Sequence, residues 1–353
     1  MIGFSTAPST TVDSRGGTCM YSQIDTLRAQ GPAVAAEFPE GFRAWVVTRG
    51  EVVRRLLPHP GVSRDLKKNV PGYEPGEVKW LSPWVDVESM STAEGREHQR
   101  LRELVAPALT PERIDAMRPR LEEIAANLLD DLETRPPDEP LDLHTAYSQQ
   151  LPTRLQCDLY GVPEDLRPEV LRILRVVLNT DNVPAEESAA VFTDMNVAMR
   201  TLIDLKRREP ADDLTSFLLA ARLDGEAPLS EQELVDMLFP LIGDGSQTTV
   251  SLIDHTVREL LANPDQLKTV LADPSRIDRE NEEHIAFGAG PHFCPGARLA
   301  RLAAHVAVPA LFARFPDLAL AVAPDEVRSP HSFIANDVAA LPVVLRHRAV
   351  KAA

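Results

Sequence analysis

The sequence is poor in cysteine: Cys19, Cys157 and Cys294 are the only three in 353 residues, and no two share a paired spacing. That scarcity excludes a disulfide scaffold and fits a reducing, cytoplasmic setting. Long apolar runs are missing too. Residues 1–17 are small and polar with no signal-peptide or membrane-span core, so a disordered lead-in is expected and no membrane partner is. Positive charge is in deficit, 37 Lys and Arg against 53 Asp and Glu, and the net charge of −16 argues against nucleic acid as a partner. Aromatic residues make up only 5% of the chain, but a hydrophobic share of 44% is ample for a core. Length alone leaves one or two domains open.

What the sequence does contain is concentrated in one stretch, Phe287-Gly288-Ala289-Gly290-Pro291-His292-Phe293-Cys294-Pro295-Gly296-Ala297-Arg298-Leu299-Ala300-Arg301. Gly288, Gly290 and Gly296 make a tight loop around one thiol. Behind it, Ala297, Ala300, Leu302, Ala303, Val306 and Ala307 recur every three to four residues, which predicts a helix with a buried face. At that helix N-terminus Cys294 is expected to lose its proton more easily than a free cysteine. Such a thiolate is a nucleophile or a metal ligand. Neither a base motif nor the paired ligands of a zinc site accompany it. A lone thiolate suits the axial position of haem iron.

The stretch resembles the haem-binding signature of the cytochrome P450 family, Phe-Gly-x-Gly-x-His-x-Cys-x-Gly-x-x-Leu-Ala-Arg, at every fixed position. The resemblance implies a single domain over 1–353 with the cytochrome P450 fold, mainly α with a small β portion (α+β). It also implies haem b held by Cys294, with His292 among the residues that hold its propionates and Phe287, Gly288 and Gly296 part of the cofactor-binding loop. The implied activity is that of a monooxygenase, acting on a small-molecule substrate with electrons from a ferredoxin.

Earlier segments fit the same reading. Ala33–Phe38 and Phe42–Thr48 read as strands around Pro39-Glu40-Gly41. The Pro/Gly-rich segment from His59 to Val87 reads as a long functional loop, which the resemblance places over the substrate pocket. His98 and Arg102, four apart, share a helix face and can reach one anion; by resemblance to the family's His-x-x-x-Arg they grip haem propionate. Thr110-Pro111 opens a helix that Pro119 is expected to bend. Further helices are expected over Leu143–Tyr160, Pro163–Leu178, Ala185–Arg208 and Leu214–Ala221.

Ser230-Glu231-Gln232-Glu233 is a capping box that opens a long helix to about Leu261. Pro240, Gly243 and Gly245 suggest a kink or bulge midway. Gly243-Asp244-Gly245-Ser246-Gln247-Thr248-Thr249 resembles the family's oxygen-activation motif, Ala-Gly-x-(Glu/Asp)-Thr-Thr, and implies catalytic roles for Thr248 and its neighbours. Asp244 replaces the usual alanine and Gln247 the usual acid. An amide cannot release and regain a proton as a carboxyl does, so Asp244, one turn before Thr248, is the candidate to take that role.

Between Asp273 and Arg279 the chain runs almost directly into the cysteine loop. The family carries several tens of residues there, including a Glu-x-x-Arg helix and strands of the main sheet, so the fold is read as truncated or gapped before the loop. Open strand edges and weaker haem retention are the expected consequences. This loss, with Gln247, keeps an alternative open: a catalytically impaired auxiliary protein that binds haem weakly or not at all. Arginines 96, 100, 102, 298 and 301 form a candidate docking patch for an acidic electron donor, or ordinary solvated helix faces. Leu341-Pro342-Val343 resembles the family's C-terminal strand, and Phe333 and Ile334 are implied substrate contacts.

Overall fold

The computed structural model describes residues 10–12, 20–78, 80–178, 185–273, 284–329 and 337–346. Phe333, Ile334, the junction at 274–283 and most of the lead-in at 1–17 lie outside the described residues. In chain order the amino-terminal elements are β1 (Thr10–Thr11), α1 (Met20–Gln30), β2 (Ala33–Glu37), β3 (Arg43–Val47), α2 (Gly50–Leu56), α3 (Leu66–Asn69), α4 (Ser82–Val85) and α5 (Gly95–Val105). The middle holds α6 (Pro111–Asp115), α7 (Arg118–Glu133), β4 (Leu141–Asp142), α8 (Gln150–Leu159), α9 (Arg167–Leu178), α10 (Ala185–Arg208) and α11 (Leu214–Ala220). The last part holds α12 (Glu231–Ala262), α13 (Pro264–Ala272), α14 (Ala297–Arg314), β5 (Ala319–Leu320) and β6 (Pro342–Val344).

The molecule is mainly helical with two small sheets. In one, β2 lies between β1, parallel, and β3, antiparallel. The lead-in therefore needs correction at Thr10–Thr11, which pair with Ala36 and Glu37. In the other sheet β6 lies between β4 and β5, so the Leu-Pro-Val segment is a strand as expected. Among the described residues β3 pairs only with β2, and its far edge is left open.

Two helical expectations change. The helix after Thr110 divides into α6 and α7, since Pro119 has no N–H to carry the backbone ladder across and sits instead in the first turn of α7. Residues His144–Ser148 form a π-turn before α8, closed by the Gln149 N–H donating to the His144 carbonyl oxygen at 2.8 Å. Pro152 cannot donate to residue 148, and the wider turn takes up that loss.

α12 organises everything else. Its capping box forms as the sequence predicts, with Ser230 accepting from the Glu233 N–H and Glu233 accepting from the Ser230 N–H. Thirty-two residues long, it spans on the order of 48 Å. Pro240, Gly243 and Gly245 do not interrupt it. The hydroxyls of Ser246, Thr248, Thr249 and Ser251 donate back to carbonyls three or four residues earlier, giving this stretch alternative acceptor contacts. Leu234, Val235, Met237, Leu238, Phe239 and Ile242 belong to one hydrophobic core, shared with α5, α8, α9, α10 and α11. Ile253, Val257 and Leu260 belong to a second, shared with α7, α8 and α14. The polar segment between them is the wall of a cavity.

Candidate functional site

The cysteine loop is pinned by its own backbone. The Cys294 N–H donates to the Phe287 carbonyl oxygen at 2.9 Å, Gly288 N–H to that of Ile285 at 2.9 Å, and Phe293 N–H to that of Gly290 at 3.0 Å. Gly288 and Gly290 have φ of +74° and +72°, which favour glycine. A Cβ on Gly290 would also stand 2.8 Å from the Cβ of Pro58. Gly296 then caps α14. The expected ease of deprotonation needs correction. Burial pushes the Cys294 thiol up, and the Gly296 N–H and Arg102, which pull it down, do not make up the difference. Deprotonation is left to a bound metal cation.

Cys294 opens onto a cavity of about 390 Å³. Phe287, His292 and Gly296 from the loop, His98 and Arg102 from α5, and Asp244 and Thr248 from α12 line it as well. Gly288 shapes the loop without lining the cavity, and the Arg301 guanidinium lies 4.7 Å from the centroid of the Phe287 ring. On one side the lining carries the cations Arg64 and Arg102, gathered with His98 and His292, and Asp244 on α12 is the one carboxylate of the lining. The rings of His98 and His292 lie 4.0 Å apart between centroids, tilted by 39°. Burial, then Arg64, His98 and Arg102, push His292 down to about 4. His98 is buried, is likewise held below its ordinary value, and its Nε2 has no hydrogen-bond partner. A buried donor without an acceptor beside two arginines fits a ligand that carries carboxylates. The donor set therefore fits a haem: a thiol on one side and cations for its propionates at the edge.

On α12 the Thr248 hydroxyl donates to the Asp244 carbonyl oxygen at 2.6 Å. Both side chains are accessible through the cavity they face, yet the protein around it still pushes the Asp244 carboxyl up to about 6. Gln247 does not line the cavity; its side-chain amide donates to Asp337 instead. The sequence reading missed Arg64, which sits in the irregular loop with nothing in its neighbours to mark it. It also missed Gln156 of α8, a lining residue whose amide lies where a Cβ on Gly245 would come within 2.6 Å.

A family model described as Cytochrome P450 matches residues 271–322. Over 398 aligned positions the chain is 33% identical to 2-hydroxy-5-methyl-1-naphthoate 7-hydroxylase of Streptomyces carzinostaticus, covering 94% of this chain and 97% of that one. The chain belongs to the cytochrome P450 family. It is also 31% identical to vitamin D(3) 25-hydroxylase of Pseudonocardia autotrophica, over 91% of this chain and 93% of the relative. The structure of CYP154A1 from Streptomyces coelicolor superposes with a TM-score of 0.85 at 33% identity, covering 96% of this chain and 100% of that one. The cofactor of this P450 is haem b, and the enzyme is an oxidoreductase of the monooxygenase class. The 398 aligned positions exceed the 353 residues of the chain, so the Streptomyces carzinostaticus relative carries stretches with no counterpart here.

The arginines of the expected docking patch are largely occupied. Arg96 pairs with Glu226, Arg100 with Glu97 and Glu233, and Arg298 with Asp115, while Arg102 donates to the Phe293 carbonyl oxygen. Among the described residues no helix is long and apolar enough to cross a membrane.

Proposed function

We propose that this P450 inserts one oxygen atom of O2 into a small or medium apolar organic substrate, with electrons from a ferredoxin in a reducing cytoplasm. The observation that carries the reading is the shared cavity: Cys294 and the cationic set on one side, Asp244 and Thr248 on the other. Cys294 would ligate the iron, Arg64 and Arg102 would neutralise the propionates, and the neutral rings of His98 and His292 would donate hydrogen bonds to them. Haem, once bound, supplies the activation and cleavage of dioxygen. Thr248 holds a hydroxyl at the cavity wall, and Asp244, pushed up to about 6, takes up and releases a proton closer to neutral pH than an ordinary aspartate. Met237, Pro240 and Leu241 make the adjoining wall apolar, which favours a carbon-rich substrate and keeps water out. The relatives named as hydroxylases of a naphthoate, of vitamin D(3) and of 6-deoxyerythronolide B support a multi-ring or macrocyclic substrate of that character.

The test is the spectrum of the purified protein reduced under carbon monoxide. The wild type is expected to show the thiolate-haem Soret band and Cys294→Ser to lose it. A protein that never takes up haem would instead support the impaired, auxiliary reading, which the missing stretch of chain favours.

A further inference from the structure

Away from the cavity, three buried side chains from three separate parts of the chain converge. His144 opens the π-turn before α8, Asp254 lies on α12, and Asp337 precedes β6. Each offers one ligand-type atom, and those atoms all lie within 4.8 Å of one another. His144 Nδ1 is 2.6 Å from Asp254 Oδ2. Asp337 Oδ1 accepts from the Val338 N–H at 2.8 Å, and its other oxygen accepts from the Gln247 amide. Asp254 is wholly buried, and its Oδ1 has no hydrogen-bond partner.

The charges do not close. Two carboxylates with one imidazolium leave a net negative charge where solvent cannot reach it, and such a charge is costly when left uncompensated. A divalent cation with neutral His144 would balance the two carboxylates and give Asp254 Oδ1 a partner.

We propose that His144, Asp254 and Asp337 form a structural metal site for a divalent transition metal, fastening the π-turn and the segment before β6 to α12. An imidazole with two carboxylates suits zinc or its transition-metal neighbours better than magnesium or calcium. Ligation replaces the proton shared by His144 Nδ1 and Asp254 with the ion, so one proton is released and affinity rises with pH. The site adjoins Gln247, and it therefore steadies the part of α12 that carries Thr248.

The experiment uses haem-loaded, full-length protein, so that Cys294 and the cavity histidines are covered. After chelation and dialysis it is titrated with zinc by calorimetry, and thermal unfolding is followed with and without zinc. One zinc per chain and a higher unfolding temperature are expected, with magnesium giving neither. Because Asp254 is wholly buried, His144→Gln and Asp337→Asn carry the comparison, each expected to weaken zinc binding roughly 10–100-fold or more. No stoichiometric zinc in the wild type, or zinc binding in both variants as tight as in the wild type, overturns the site. Neither readout depends on monooxygenase turnover.

Discussion

Asp244 and Thr248 stand one turn apart on α12 and face the same cavity, the Thr248 hydroxyl held 2.6 Å from the Asp244 carbonyl oxygen. That contact parks the hydroxyl on the helix backbone and leaves Asp244 as the ionisable group of the wall. Asp244→Asn keeps shape and polarity but cannot cycle a proton. Turnover is expected to fall about tenfold or more, with more peroxide released per electron consumed. Product formed per NADH oxidised measures this, and unchanged coupling would remove Asp244 from the proton path.

Gln247 is matched to Asp337, and restoring the acid usual in the family would set two carboxylates against each other beside Asp254. One of them must then stay protonated or lose its partner. Gln247→Glu is expected to destabilise the fold by about 1–3 kcal/mol at neutral pH. The urea midpoint reads the effect. A midpoint at or above that of the wild type would contradict the pairing.

Gly290 has no room for a side chain, because its φ is +72° and Pro58 stands against it. Gly290→Ala should cost about 1–3 kcal/mol and displace the cysteine loop. Loss of haem on gel filtration is the readout, and Gly225→Ala, also at positive φ but with open space around it, is the control that should retain haem.

His292 is held neutral in the folded chain, down to about 4. The unfolded chain binds its proton near the ordinary 6.5, so between those values it carries more protons than the folded one. Stability of the haem-free protein is therefore full above about 6.5 and falls as pH drops toward 4, by about 1–2 kcal/mol after solvent screening. His292→Gln should flatten that slope in urea titrations run across pH. An equally steep slope in the variant would show that other groups set it.

Among the described residues the far edge of β3 is unpaired, and this strand carries Trp45, 51% exposed. An exposed apolar edge strand invites pairing with another chain. Trp45→Lys is expected to lower light scattering of concentrated protein without altering the haem spectrum. Scattering that does not change would show the edge to be harmless.

Much of this was legible because it is local. The Phe287–Arg301 run marks its own loop, since the spacing of its glycines and its single cysteine needs no distant partner to be read. The α12 capping box and the apolar spacing of α14 are equally local, as both are written within a few residues. The division into α6 and α7 is not legible in the sequence: the pattern predicts one helix bent at Pro119, and Pro119 sits instead in the first turn of the second helix. The motif sets Gln247 at the position of the usual acid, and the structure turns it toward Asp337, ninety residues away. The Cys294 thiol was judged from the helix field alone, and its burial proved stronger.

The amino-acid order by itself determined which residues can cap, bend or open a helix, and where one thiol meets a glycine loop, because those properties depend on neighbours a few bonds away. Only the tertiary structure decided that Arg64 and Gln156 reach the cavity and that Arg96, Arg100 and Arg298 pair with acids elsewhere in the chain. It also decided that His144, Asp254 and Asp337 share one dry site. Desolvation and charge pairing act through space, and folding sets those distances between residues far apart in the chain.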